Sequence, residues 1–286
     1  MDEILNEVTV FVPDLVVRVT KNLIGAPWTM RVHLKDVGHR RDIVTDFDVL
    51  TEEHLRAALH DRFPSIGFVG EEQGSAGQSE LHWVVDPIDG TSNFVAGYPH
   101  FATSVALVRG SEAIYGCVYD PSLGELFHGA RGRGAYLGDT PLRPLRAQPL
   151  DELLLAIGLG NDDDRANLMI GLLSRLRKRV QGFRNTGCAS LDLAYVAAGR
   201  FGCFAHPYLK PWDCNAGVLI VQEAGGRAEE IKELRTPQTR ALAVGHSAIV
   251  RPVVKAMKSV LAADGECRVP IAGRRGLSSH IGTLEP

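Results

Sequence analysis

The chain has 286 residues, 45% apolar and 23% charged, with 31 basic side chains against 34 acidic ones and a formal net charge of −3. That length suits one large domain or two small ones around a substantial core. The near-neutral charge without a basic stripe argues against nucleic acid as a partner, and no apolar run is long enough to cross a membrane.

Taken in chain order, the apolar spacing predicts an amphipathic helix over residues 2–24, interrupted near Pro13. Its acidic start does not read as a signal peptide. His39, Arg40 and Arg41 form a local basic cluster, read as a solvated loop. A second helix is expected over 46–63 and strands near 66–69 and 81–86. Runs at 101–108, 113–119, 125–130 and 134–137, separated by turns, predict an antiparallel meander. The second half then alternates. Strands are expected at 153–159, 201–205 and 241–245, with helices at 163–178, from Ser190, from Asp213 and at 247–261. Asn161 to Asp164 reads as an acidic helix cap without a metal role. The whole reads as a single unit, with an N-terminal half over 1–150, a C-terminal α/β half over 151–270 and a tail over 271–286. Cys117, Cys188, Cys203, Cys214 and Cys267 show no metal-like spacing and predict reduced thiols in the cytoplasm.

Four acidic clusters fall at strand ends or helix starts. Asp86 and Asp89 close the run Leu81–Val85 and are followed by Gly90, Thr91 and Ser92. An Asp-Pro turn can aim both carboxylates one way, as a hard cation such as Mg²⁺ requires. Gly90 allows close backbone approach, and the N–H groups at Thr91 and Ser92 could face an anion. The other clusters are Glu71 and Glu72 after Gly70, Asp42 to Asp48 ahead of the second helix, and Asp213 after Pro211-Trp212. Each also has a plain structural reading as a turn or cap, and Thr45 with Asp48 resembles a capping box.

Together, DPIDGTSNF, GEE, DIVTDFD and PWD followed by EAGG resemble the inositol monophosphatase family of Mg²⁺-dependent, lithium-sensitive phosphatases. The resemblance implies a layered α/β/α/β/α fold, two to three Mg²⁺ ions per site, a small phosphorylated metabolite as substrate and a homodimer. Carried over by position, Glu71, Asp86 and the Ile88 carbonyl would hold one ion, and Asp86, Asp89 and Asp213 a second. A third ion would sit near Glu71. Thr91, oriented by Asp48, would help deprotonate the attacking water, with Glu71 as competitor. The N–H groups around Gly90 and Thr91 would grip phosphate. Glu72 is expected to face away if the segment is extended, and Lys35 is a candidate outer contact.

Substrate contacts fall on Arg184 and on Gly187, Cys188 and Ala189, where Cys188 replaces the family's usual hydroxyl residue. His206 stands where inositol phosphatases carry a glutamate that binds ring hydroxyls. An imidazole accepts one hydrogen bond where a carboxylate accepts two, so a cyclitol site should weaken. His206, Lys210 and Arg184 could instead supply positive charge for a further anionic group. Within the family, histidinol phosphate, fructose bisphosphate and 3′(2′)-phosphonucleotides are the alternative substrates. A regulatory protein that keeps the fold and binds a partner is the alternative of another class.

Overall fold

The computed structural model describes residues 2–24, 31–35, 43–77, 79–160, 163–234, 236 and 238–267. Expectations for Asp42, the His39 to Arg41 cluster, Asn161 and the 271–286 tail fall outside those residues. Helix α1 (Asp2–Ile24) buries Leu5, Val8, Val12, Leu15, Val16 and Val19, spaced three or four apart. Pro13 does not interrupt it. The apolar stripe runs in register past the proline, and burying it on both sides offsets the one lost backbone bond. Strand β1 (Val32–Leu34) pairs antiparallel with β2 (Ile43–Thr45), and α2 (Asp46–Arg62) follows directly.

Next come β3 (Gly67–Gly70), β4 (Ser75–Ala76), β5 (Leu81–Asp89), the short helix α3 (Thr91–Val95) and β6 (Ala102–Arg109). The meander continues through β7 (Glu112–Asp120), β8 (Glu125–Ala130), β9 (Ala135–Leu137) and β10 (Thr140–Pro141). These form one sheet in the order β10-β9-β8-β7-β6-β5-β3-β4, antiparallel except at β3–β5. The second half contributes β11 (Leu154–Ile157), α4 (Asp163–Leu176), β12 (Gly182–Arg184), α5 (Ala189–Ala197), β13 (Cys203–Leu209), α6 (Pro211–Glu223), β14 (Arg227–Glu230), β15 (Arg240–Gly245) and α7 (Ser247–Cys267). Its five strands order as β12-β11-β13-β15-β14. Strands β12 and β14 carry little apolar alternation and were not expected. β13 runs on past the expected end at residue 205 to Leu209, bulging between His206 and Leu209.

Alternation along the strands assigns the layers. In β5 to β7, Val85, Val105, Leu107, Cys117 and Tyr119 face α1 and α2, whereas Val84, Ala106, Val108 and Val118 face the opposite core with α5 and α6. In the second sheet, Phe204, Leu242 and Val244 face that same middle core, while Cys203, Ala205, Ala241 and Ala243 pack under α4 and α7. Period-two strands thus yield the layered α/β/α/β/α architecture. Gly116 lets α6 lie close on β7, since a Cβ there would stand 2.6 Å from the Ala216 carbonyl oxygen. The middle layer therefore holds both sheets to α5 and α6, whose N-termini meet the end of β5.

Candidate metal centre

Strand β5 is apolar until its last turn, so burial drags its terminal carboxylates inward with it. Asp86 is 1% exposed, and its Oδ1 has no hydrogen-bond partner among the described residues. The ladder to β6 slips between Asp86 and Asp89, as Pro87 carries no N–H and accommodates the irregularity. Thr103 on β6 donates to the Pro87 carbonyl at 2.8 Å and bonds Thr20 of α1 at 2.9 Å, bracing the turn from behind. Gly90 sits at φ 89°, the left-handed region open to glycine, and turns the chain into α3.

Helix α2 completes this corner. Its capping box is formed, with Thr45 Oγ1 accepting from the Phe47 and Asp48 N–H groups and the Thr45 N–H donating to Asp48 Oδ2 at 2.8 Å. The other oxygen, Oδ1, accepts from Thr91 Oγ1 at 2.9 Å, and the same hydroxyl lies 3.0 Å from the Ile88 carbonyl. The cap reading of Asp48 holds on Oδ2, and Oδ1 is left to hold the Thr91 hydroxyl.

Glu72 departs from the expectation that it faces away from Glu71. The two do not alternate along a strand, because the chain bends at residues 71–73 and turns both carboxylates onto Lys35, whose Nζ lies 2.6 Å from each. The bend is held by Glu52, fully buried on α2, which accepts the Glu72 N–H at 2.8 Å and the Gln73 N–H at 2.9 Å. Glu52 was not singled out in the sequence. Its role depends on a contact twenty residues away, and a lone acidic residue inside a helix gives no local sign of that.

The second half approaches from the other sheet. The Ser190 N–H, at the start of α5, donates to Asp89 Oδ2 at 2.6 Å, and the Cys188 thiol donates to the same oxygen at 3.3 Å. A Cβ on Gly90 would stand 3.3 Å from the Gly187 carbonyl, so the Gly90–Thr91–Ser92 turn and the Gly187–Cys188–Ala189 loop abut. Asn93 ties them, donating to both the His100 and Thr186 carbonyls at 2.7 Å. Asp213, in the first turn of α6, accepts the Lys210 N–H at 2.7 Å.

Burial, then the charges of Glu71, Asp89 and Asp213, push the Asp86 carboxyl well above the usual range. Asp213 is raised well above it too, by burial and then by Asp89 and Glu71. Burial raises Glu71 against the pull of Lys35, and raises Asp89 against its Ser190 and Cys188 donors. Four acids, Asp86 buried and Glu71, Asp89 and Asp213 half-buried, destabilise one another's charge and form an all-oxygen donor set suited to a hard divalent cation. No group of three or more His, Cys, Asp or Glu side chains among the described residues stands ready-assembled for an ion, and Lys35 supplies the positive charge beside Glu71. The donor set and the unpaired Asp86 Oδ1 fit a divalent metal.

His206 lies in β13 with its ring against Gly158, where a Cβ would stand 1.9 Å from the ring Cδ2. Burial lowers its pKa to about 3, so the imidazole is neutral. The positive charge anticipated for His206 is therefore absent, because desolvation disfavours the cation and no carboxylate compensates. Its Nδ1 accepts the Tyr208 N–H at 3.0 Å, which places the ring proton on Nε2. Arg184 is exposed and its guanidinium turns onto the Phe183 carbonyl of its own strand at 2.8 Å.

The family model described as "Inositol monophosphatase family" matches residues 12–264. A Caulobacter vibrioides protein named inositol-1-monophosphatase is 42% identical over 197 residues, 67% of this chain and 77% of that one. A Xylella fastidiosa protein named Nus factor SuhB is 36% identical over 200 residues, 70% of this chain and 73% of its own. Among solved structures, a Thermotoga maritima IMPase superposes with a TM-score of 0.79 at 30% identity, covering 92% of this chain and 99% of that one. With its layered fold and its acidic corner, the chain belongs to the inositol monophosphatase family.

Proposed function

We propose that the protein is a Mg²⁺-dependent phosphomonoesterase that hydrolyses a small phosphorylated metabolite by direct attack of water. The observation that carries this reading is the convergence of half-buried Glu71, Asp89 and Asp213 on buried Asp86 as mutually repelling carboxylates beside a Thr91 hydroxyl fixed by Asp48. Glu71, Asp86, Asp89, Asp213 and the Ile88 carbonyl would hold the ions. Two divalent cations, when bound, polarise the phosphate and acidify the attacking water. Thr91 has its one proton committed to Asp48 or Ile88, so its lone pairs face outward to orient that water and relay its proton toward Asp48. Glu71 is the second acceptor. Lys35, on the β1–β2 hairpin, would hand Glu71 over when metal enters and remain near enough to meet phosphate.

Substrate choice turns on His206. Its only acceptor is used by Tyr208, leaving an Nε2–H donor where inositol phosphatases present an acceptor carboxylate. A substrate with a carbonyl, carboxylate or second phosphate at that place suits it better than one offering two hydroxyl donors. Lithium sensitivity, a homodimer and a cytoplasmic location belong to the same proposal; light scattering checks the dimer and Li⁺ titration the inhibition.

The test is phosphate release from a panel of phosphomonoesters that includes inositol 1-phosphate, a sugar bisphosphate, histidinol phosphate and a 3′-phosphonucleotide, with Mg²⁺ and with chelator. Asp89→Asn should lose at least about 100-fold in turnover with an unchanged circular dichroism spectrum. Full turnover in that variant would remove Asp89 from the ligand set. His206→Glu should raise the rate on inositol 1-phosphate relative to the other esters, and an unchanged ratio would take His206 out of substrate recognition. The name Nus factor SuhB on a 36% identical relative favours one second reading, a regulatory, partner-binding role alongside hydrolysis. A complex that forms equally well with Asp89→Asn protein would support that role as independent of catalysis.

A further inference from the structure

Asp192, in the first turn of α5, is a buried acid that the metal corner does not use. Its Oδ2 accepts the Thr186 hydroxyl at 2.7 Å. Its Oδ1 has no hydrogen-bond partner among the described residues, and neither has the buried Nε2 of His100, which faces it at 3.6 Å. Buried polar atoms are rarely left alone, so each is the other's natural partner, with the His100 proton on Nε2. Packing aims the imidazole there. It stands edge-on to Tyr195, the next residue along that face of α5, with ring centroids 5.7 Å apart.

Asn93 joins the same two residues by their backbones, since its amide donates to the His100 and Thr186 carbonyls at 2.7 Å each. Asn93 thus grips the main chain, and Asp192 the side chains, of one pair. The four residues close a ring that crosses the junction of the halves twice, at Asn93–Thr186 and at His100–Asp192. Gly187 lies directly on this ring, where a Cβ would stand 3.4 Å from the Asn93 amide nitrogen. From Gly187 the chain runs on to the Cys188 thiol and the Ser190 N–H, and both donate to Asp89 Oδ2. Two donors on one oxygen fix the rotation of the Asp89 carboxylate.

We propose that His100 and Asp192 are positioning residues which, through this ring, hold the Ser190 N–H and the Cys188 thiol on Asp89 and so set the affinity of Asp89 for a divalent ion. Only the last step rests on the metal reading of Asp89 given above. When a side-chain tie is cut, Thr186 loses its fixed place, the loop turns at Gly187, and the two donors draw away from the carboxylate.

The test compares variants of the full-length ¹⁵N-labelled protein in pairs. Thr186→Val and His100→Phe keep the shape and remove the tie, whereas Thr186→Ser and His100→Gln keep a donor and alter the shape. The Ser190 N–H belongs to the first turn of α5, where no carbonyl of the helix reaches it, so its protection from hydrogen exchange reports its bond to Asp89. Without metal, exchange at Ser190 should quicken about tenfold or more in Thr186→Val and His100→Phe and stay slow in Thr186→Ser and His100→Gln. Mn²⁺, titrated under electron paramagnetic resonance, should bind the first two about tenfold or more weakly. Thr186 is half-buried in a loop, so Thr186→Val should keep the circular dichroism spectrum even where His100→Phe does not. Unchanged exchange in Thr186→Val overturns the ring, and a reversed order, with Thr186→Ser and His100→Gln the more damaging, overturns it in favour of packing. Quickened exchange with undiminished Mn²⁺ affinity overturns the effect on the ion. Equal Mn²⁺ binding by the wild type and Asp89→Asn overturns the metal reading of Asp89, and with it the last step, while the exchange rates still decide the ring.

Discussion

His206 shows how one side chain reports on its surroundings. The unfolded chain binds a proton there near pH 6.5, while burial holds the native ring neutral down to about pH 3. As pH falls below 6.5 the unfolded state takes up a proton that the native state refuses, so native stability declines across that interval. At pH 5 the loss is at most about 2 kcal/mol. His206→Asn keeps an acceptor for the Tyr208 N–H and carries no titration, so its denaturant midpoint should fall less between pH 7 and 5. Parallel curves for the two proteins would show that the ring is not buried in solution. Legibility at this scale was uneven. Asp86, Asp89, Thr91 and Asp48 announce themselves because they cluster within short motifs. The bend that turns Glu72 toward Lys35 did not, since a Gly-Glu-Glu run after an apolar strand reads as a strand end until the distant Glu52 is known.

At the scale of elements, α2 does most to shape the acidic corner. Its first turn caps itself and fixes Thr91, and its middle supplies Glu52. Glu52→Ala would leave Arg56 and two backbone N–H groups without their shared acceptor, a change expected to cost about 3–5 kcal/mol. Chemical denaturation measures this, and a loss below about 1 kcal/mol would mean that water replaces the carboxylate at little cost. The helices and the antiparallel meander were readable because their apolar periods are long. Short β12 and polar β14 were not, because three or four residues held by neighbours on one edge carry almost no period of their own. Pro13 misled for a related reason. A local rule about proline was outweighed by the burial of a stripe that extends on both sides of it.

The whole molecule draws its two halves together at a point of electrostatic conflict. Asp86 and Asp89 come from the first sheet and Asp213 from a helix of the second half, so the attachment of the halves brings like charges together around the buried Asp86. On the proposed function, a divalent metal would relieve that conflict only when the halves are joined. Saturating Mg²⁺, at about 100 times its dissociation constant, should stabilise the protein by about 2.7 kcal/mol, and chelator should reverse the shift. Calorimetry with and without metal checks it, and an unmoved transition would mean that the ions bind no more tightly to the folded protein than to the unfolded chain.

The sheets also end in a telling way. The eight-stranded sheet stops at Ser75–Ala76 on one margin and at Thr140–Pro141 on the other, two residues each, one of them a proline that offers no donor. The smaller sheet stops at the three residues Gly182–Arg184 and at the charged strand Arg227–Glu230. Margins this short or this charged give a neighbouring chain no template on which to lay a strand, which protects the protein from stacking into fibrils when it is concentrated.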